Sequence, residues 1–525
     1  MANQLLKSLL IVLTLLSPFI NINVKSGNSF YSESSIFAEE SDFFIHVVER
    51  GQTVYSISKT YNVSIDLIHS LNPGSESNLS IGQELKIPQI SGSFVFHTIQ
   101  PKETLYSVSK QYYMTGEDII KANPGLSVST FSIGKTIRVP VNQVTHPIEG
   151  ENETKHVERT NALLKVVPVA EKWDAVNVAL LLPFTGKTTD PRFVEYYEGF
   201  LMAIDSLKRS GKPVHVQIYD IGYTGASLQP ILNKAELKQA NLLIGGYAEE
   251  QIKMISDFTE NLNIPYVIPF TSRSDEPLSR PNTYQINTPY SFLSAKTAIA
   301  FCNKYKNDNI IFISDDKNDK SEFIQALKAE IQSRNMTAQV LPYNSKFALS
   351  LAGMLHDNQE NVIVPTSGSQ EFLMKIAAPL QVLKQSKTTK SLTVFGYPEW
   401  QRYGSEYLDR YFSLNTTIYS IYYTDHHSPE VKAFYNRYQK WFSKNIIDSY
   451  PKYSILGFDT GMFFISGLIQ YGTSLSTNIN NVNFKGIQTD FQFKRVSNWG
   501  GFVNTNLYFI SFTSDYLIQK QIVGN

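Results

Sequence analysis

Residues 46–88 read HVVERGQTVYSISKTYNVSIDLIHSLNPGSESNLSIGQELKIP, and residues 97–140 read HTIQPKETLYSVSKQYYMTGEDIIKANPGLSVSTFSIGKTIRVP. The second stretch repeats the first. The offset is 51 residues from His46/His97 to Gly74/Gly125 and 52 at Gly82/Gly134 and Pro88/Pro140. Thr53/Thr104, Tyr55/Tyr106, Ser56/Ser107, Lys59/Lys110, Tyr61/Tyr112, Ile68/Ile119, Asn72/Asn123 and Pro73/Pro124 are shared. Each copy opens on a short strand, FIHVV or FHTI, and turns at Gly51-Gln52 or Lys102-Glu103. Thr53 or Thr104 is placed to cap a helix, because its hydroxyl oxygen can accept an orphan amide proton. Val54, Ile57 and Tyr61, or Leu105, Val108 and Tyr112, share one helical face. A second helix starts at Ser64 or Thr115, and Pro73 or Pro124 stops it. A strand, ELKIP or TIRVP, closes each copy. The result is two βααβ units, each close to the lower size limit for a core without staples.

These segments resemble LysM modules. The likeness is carried by GQTVYSIS and KETLYSVS, the Asn-Pro-Gly turns, and the closings IGQELKIP and SIGKTIRVP. The resemblance implies binding of N-acetylglucosamine glycans: peptidoglycan or, in some lineages, chitin. It implies a shallow groove built from the first strand–helix loop and the second helix–strand loop. In the first copy that is Gly51, Gln52, Thr53 and Val54 with Asn72 and Pro73; in the second, Lys102, Glu103, Thr104 and Leu105 with Asn123 and Pro124. The other reading of each such residue is that it only builds the fold. Lys102 stands where the first copy has Gly51, at a turn where glycine is at an advantage.

Residues 141–173 are polar and weakly periodic and read as a linker, with 160–168 able to form a short helix or strand. From Asn177 the pattern changes. VALLLPF, VHVQIYD, NLLIGG and IPYVIPF are buried-strand runs separated by helical periods, and NIIFISDD, TAQVLPY, NVIVPTS and LTVFGYP continue the scheme. Alternating strand and helix predicts parallel sheets covered on both faces. Some 350 residues exceed one such sheet, so two lobes are expected.

This second region resembles the type I periplasmic binding-protein fold of branched-chain amino-acid receptors. The supporting stretches are LLPFTGKTTDPRFVEYYEGFLMAID, LLIGGYAEEQIKMISDFTENLNIPYVIPFTS and SILGFDTGMFFISGLIQYG. The expected fold class is multidomain α+β and α/β: two βααβ modules at 44–89 and 95–141, a linker at 142–175, and a two-lobed Rossmann-like domain at 176–525. By analogy lobe one holds about 177–298 and 424–478, and lobe two about 299–423 and 479–525, finished by DFQFKRV and LYFISF. The resemblance places a ligand in the cleft at the strand ends. Tyr247, Thr271, Ser272 and Glu399 are the candidate cleft residues. Thr271-Ser272 match a hydroxyl-bearing loop, and Glu399 could meet an amino group. Glu249 and Glu250, however, occupy the helix start where such receptors bring a ligand carboxylate. They satisfy the helix dipole themselves.

Lys plus Arg and Asp plus Glu both number 47, so nothing in the charge points to nucleic acid. Residues 1–25 have the shape of a secretory signal, a lysine ahead of a leucine-rich run, with an uncleaved anchor as the alternative. Cys302 is the one cysteine, which excludes an internal disulfide, a Cys-rich metal site and a lipoprotein anchor after the apolar run. The GKT triplets at 134–136 and 186–188 lack the earlier glycine of a phosphate loop, Ser129 and Leu181 standing there. SGS at 367–369 lacks a nucleophile elbow. The expectation is therefore a non-enzymatic protein of the periplasm or cell envelope, without cofactor or metal. It would hold peptidoglycan or an N-acetylglucosamine oligomer through the LysM-like pair. Its receptor-like part would be a sensor or scaffold, with a small ligand or an envelope protein at the cleft. The alternatives are an ABC-transporter-type receptor for an amino acid or small peptide, and a protein-contact activator of peptidoglycan synthesis.

Overall fold

A computed structural model describes residues 43–76, 79–89, 92–141, 153–166, 170–186, 190–385, 391–403 and 407–524. The apolar run read as a secretory signal lies outside them. In the first repeat, strands β1 (Phe43–Val47) and β2 (Glu84–Pro88) pair antiparallel around the helices Val54–Tyr61 and Ile65–Leu71. In the second, β3 (Phe94–Thr98) and β4 (Thr136–Pro140) enclose Leu105–Gln111 and Gly116–Ala122. The threonines cap as expected: Thr53 Oγ1 accepts from Ser56 N at 3.1 Å, while Ser56 Oγ accepts from Thr53 N at 2.9 Å. Thr104 and Ser107 repeat this reciprocal box at the same distances. Two orphan donors are thereby satisfied at each helix start.

The remaining strands form two seven-stranded sheets. In chain order they are β5 (Val176–Leu182), β6 (Val214–Asp220), β7 (Leu242–Gly245), β8 (Tyr266–Ile268) and β9 (Thr283–Gln285), then β10 (Asn309–Ser314), β11 (Ala338–Pro342), β12 (Asn361–Pro365), β13 (Leu392–Gly396) and β14 (Thr417–Ser420), then β15 (Phe493–Arg495), β16 (Phe502–Asn504), β17 (Tyr508–Phe512) and β18 (Ile518–Ile522). The first sheet runs β15-β16-β9-β8-β7-β5-β6 and the second β11-β10-β12-β13-β14-β17-β18. Pairing is parallel except at β15/β16, β14/β17 and β17/β18. Central strands such as β12 and β13 are buried throughout, which is why they read as unbroken apolar runs.

Helices Pro191–Arg209 and Tyr453–Tyr471 pack backbone to backbone in the first lobe. A Cβ at Gly199 would strike Ser454 O, and one at Gly457 would strike Tyr196 O. Only glycine permits that approach.

Two expectations are corrected. DFQFKRV does not finish the second lobe. Its strand β15 pairs with β16, and β16 pairs with β9, so both extend the first sheet. The chain then crosses back at 504–507, where Thr288 Oγ1 donates to Asn504 O at 2.6 Å and Asn504 Nδ2 to Ile286 O at 3.1 Å. Only after that crossing does LYFISF pair with β14. The stretch read as a linker carries a helix, Glu153–Ala162, that folds onto the second module. Its Asn161 Oδ1 accepts from Tyr106 N at 3.2 Å, and Leu163 and Leu164 join the module's apolar cluster.

The two modules pack on each other and on the first sheet. Trp499, in the loop between β15 and β16, is buried between them, with ring centroids 5.8 Å from Tyr61 and 5.5 Å from Phe96. Arg138 covers its ring at 4.9 Å. Cys302 is buried, as expected of a small core residue. Among the described residues no helix is long and apolar enough to cross a membrane.

Candidate functional site

The groove loops of the first module begin with a buried histidine. His46 Nδ1 bonds the Tyr61 hydroxyl at 2.7 Å, and Nε2 bonds Gln52 Oε1 at 2.8 Å. The same Gln52 oxygen accepts from Glu49 N at 2.7 Å, closing the turn. Burial depresses the His46 imidazole below its ordinary value. The second module rebuilds this arrangement with His97, Tyr112 and a carboxylate, Glu103 Oε2 lying 2.7 Å from His97 Nε2 and accepting from Gln100 N at 2.7 Å. The helix-to-strand loops are likewise built alike. Asn72 Nδ2 donates to Ile68 O and Lys86 O, and its Oδ1 accepts from Lys86 N at 2.7 Å. Asn123 does the same with Ile119 O, Arg138 O and Arg138 N.

Gln52 Oε1, Glu103 Oε2, the Thr53 and Thr104 hydroxyls and the Asn72 and Asn123 amides thus bond within the module itself. Pro73, Pro124, Lys102 and Thr104 remain exposed on the loops, Val54 is half-buried and Leu105 is core. Each copy also leans one loop on the large domain. Gly51 sits where an added Cβ would lie 3.2 Å from Phe292, and Gly125 N donates to Asn498 O at 2.7 Å. Gly51 and Lys102 both hold positive φ, 84° and 71°.

The interlobe cleft collects the strand-end loops. On the first lobe, Tyr247 is exposed and meets Phe193 edge-on at 5.2 Å and Tyr223 at 6.1 Å. Phe270 packs against Phe193 at 5.0 Å. The Arg192 guanidinium lies about 6 Å from the rings of Phe193, Tyr247 and Tyr453 and is paired with Asp190, Nε to Oδ2 at 2.9 Å. Thr271 Oγ1 accepts from Arg273 N at 3.0 Å, and Ser272 follows it half-buried. Glu250 Oε2 accepts from Gly225 N at 3.1 Å, at the start of helix Gly225–Leu232. It serves a helix terminus, though of a neighbouring helix as well as its own.

On the second lobe, Glu399 Oε1 is in direct ion-pair contact with Lys320 Nζ. Lys320 is buried and lies 5.1 Å over the Tyr397 ring. Burial opposes its charge, but Glu399 outweighs burial and holds its pKa above that of an ordinary lysine. Gly368 makes the pair possible, since a Cβ there would strike both Glu399 Oε1 and Lys320 Cε. The amino group that Glu399 meets is therefore the protein's own. Among the described residues no cluster of histidine, cysteine or carboxylates could hold a metal ion.

Residues 175–515 match the family model described as periplasmic binding protein. This chain belongs to the periplasmic binding protein family. Within this periplasmic binding protein, residues 46–88 and 97–140 each match the LysM domain. Its structural neighbours include an ABC transporter substrate-binding protein from Desulfitobacterium hafniense, 10% identical, with 66% of this chain and 100% of that one covered and a TM-score of 0.42. They also include a "putative branched-chain amino acid ABC transporter" from Rhodospirillum rubrum, 13% identical, with 66% and 100% covered and a TM-score of 0.48. Among curated proteins, "Putative sporulation-specific glycosylase YdhD" of Bacillus subtilis (strain 168) is 34% identical over 97 residues. That match is to the LysM region and spans 18% of this chain and 22% of the relative.

Sequence reasoning passed over Lys320, Arg192, Tyr223 and Trp499. Lys320 sits in SDDKNDKSE, where it is one charge among many, and nothing local marks it as the partner of a glutamate 79 positions away. Trp499 did carry a signal: a lone tryptophan before two glycines, NWGG, in a loop between strands.

Proposed function

We propose that this periplasmic binding protein is an exported, non-catalytic receptor of the cell envelope that holds N-acetylglucosamine glycan, peptidoglycan above all, through its LysM pair. Its two-lobed domain acts as a sensor or scaffold rather than as a carrier of free amino acids. The observation that carries the second half is the Lys320–Glu399 pair. A receptor for an amino acid needs an acid ready for the ligand's ammonium. Here the acid is already neutralised by a buried lysine, and displacing that lysine would leave a charge unpaired in a poorly solvated site. Glu249 and Glu250, at the start of helix Glu249–Leu262, are equally unsuited to a ligand carboxylate. The glycan half rests on the LysM domains, whose capped loops are built alike in both copies.

Sedimentation with purified peptidoglycan tests the reading, comparing the full chain with residues 43–141 and residues 170–524. The expected result is that the first two pellet and the third stays in solution. Pelleting of the third alone would overturn it. A transporter-type solute receptor keeps one observation in its favour, the aromatic wall of Phe193, Tyr223 and Tyr247 beneath Arg192. Leucine or isoleucine raising the thermal midpoint would decide for that alternative.

A further inference from the structure

A cavity of about 800 Å³ shares no lining residue with the interlobe cleft candidates. One wall is helix Tyr290–Lys304, which turns Phe292, Lys296, Ile299 and Asn303 to it at helical spacing. A second wall is the segment 490–495, ending in β15. Thr288 and Thr505, at two of the crossings between lobes, close the back. Arg50, at the tip of the first LysM loop, closes the front. The cavity therefore lies where the LysM domain, the crossings and both lobes meet, and its size suits a small ligand.

Its chemistry is unbalanced. Arg50, Lys296, Lys494 and Arg495 line it against one lining acid among the described residues, Asp490, while Lys494 Nζ also lies 3.9 Å from Glu49 Oε2. Asp490 is committed, accepting from the Tyr508 hydroxyl at 2.8 Å and lying 3.5 Å from Lys520 Nζ. Arg495 donates to Pro281 O at 3.3 Å and lies 4.2 Å over the Phe502 ring, and no carboxylate pairs with it among the described residues. Lys296 Nζ donates to Thr505 O at 2.8 Å. Burial first, and then Arg50, bring the Lys296 pKa down to about 8, so a bound anion would be favoured there. The opposite need is also present. Gln492 Oε1 and Asn506 Oδ1 line the cavity and are buried without hydrogen-bond partners. Buried acceptors left in that state call for a donor. Phe292, Val482, Phe484 and Phe491 supply apolar surface between them.

Cations, unpaired carbonyl oxygens and an apolar floor fit one ligand class. We propose that this cavity binds a short peptide with a free carboxylate, the carboxylate held by Lys296 and Arg50 and peptide N–H groups donating to Gln492 and Asn506. Resting on the wall-binding reading above, the peptide is the stem attached to the glycan that the LysM domains hold. Arg50 is the sequence neighbour of Gly51, a candidate glycan residue of the first module.

Calorimetric titration of the full chain with two probes tests this: the peptidoglycan stem tetrapeptide, and chitotetraose, which has the sugars without peptide. The tetrapeptide is expected to bind. Lys296→Met should weaken it about tenfold or more, as loss of a charge-assisted contact does. Lys494→Ala, which removes a side chain half in solvent and its 3.9 Å contact with Glu49, should weaken it about threefold. Chitotetraose should bind both variants as it binds the unsubstituted chain. No tetrapeptide binding, or equal affinity in all three proteins, overturns the proposal. If chitotetraose still binds in that case, the cavity assignment alone falls. If neither probe binds, the glycan reading falls with it.

Discussion

Asn123 makes three hydrogen bonds with its side chain and is fully buried, tying the end of its helix to β4. Asn72 makes the same three from a half-buried position. Asn123→Ala should therefore cost about 2–3 kcal/mol in chemical denaturation, because it strands a buried N–H and two carbonyls. Asn72→Ala should cost less, since water reaches the groups it abandons. His46 sets a pH limit. Its pKa is lowered by burial from the ordinary 6.5, so the unfolded chain takes up the proton more readily than the native one. Stability is then present above about pH 6.5 and declines as pH falls below it. Denaturation midpoints measured from about pH 8 to pH 5 check this, and His46→Gln should flatten the decline. The residue identities were legible in the repeat, down to the paired histidines. The internal bonds of Gln52, Glu103, Asn72 and Asn123 were not, because the repeat does not say which strand or turn each side chain ties.

Among the elements, the two first-loop turns differ by one residue. Lys102 holds φ +71° where Gly51 holds +84°. An L-residue pays roughly 1 kcal/mol there, partly offset by glycine's larger unfolded-state entropy. Lys102→Gly should therefore stabilise by about 0.5 kcal/mol, read as a small rise in thermal midpoint. The loop at 487–489 is set by Asp459, whose carboxylate accepts from Ile487 N, Gln488 N and Thr489 N at 2.8–3.1 Å. That loop braces a crossing, since Thr489 Oγ1 donates to Ile421 O at 3.0 Å. Asp459→Ala should cost about 3 kcal/mol in denaturation, with two buried donors and one half-buried donor left unpaired. Alternating apolar runs revealed most of the strands, because a strand buried on both faces is written as one run. The same cue could not assign β15 to a sheet, since an edge strand of three residues carries no mark of its neighbour.

At the scale of the whole molecule, Trp499 joins the LysM pair to the receptor domain. Trp499→Ala should remove about 3 kcal/mol of packing at that junction. Calorimetry should then resolve the LysM transition from that of the large domain. If the thermogram stays unchanged, the docking contributes little to stability. The capped helices, the tandem repeat and the alternation of strand and helix were determined by the sequence by itself, because each rests on contacts between residues a few positions apart. Only the tertiary structure decided that the linker helix folds back, that β15 and β16 extend the first sheet, and that Lys320 closes on Glu399. The same holds for the meeting of Arg50 and Lys296 in one cavity. Those contacts join positions tens to hundreds of residues apart, and only the packing of the whole chain brings them together.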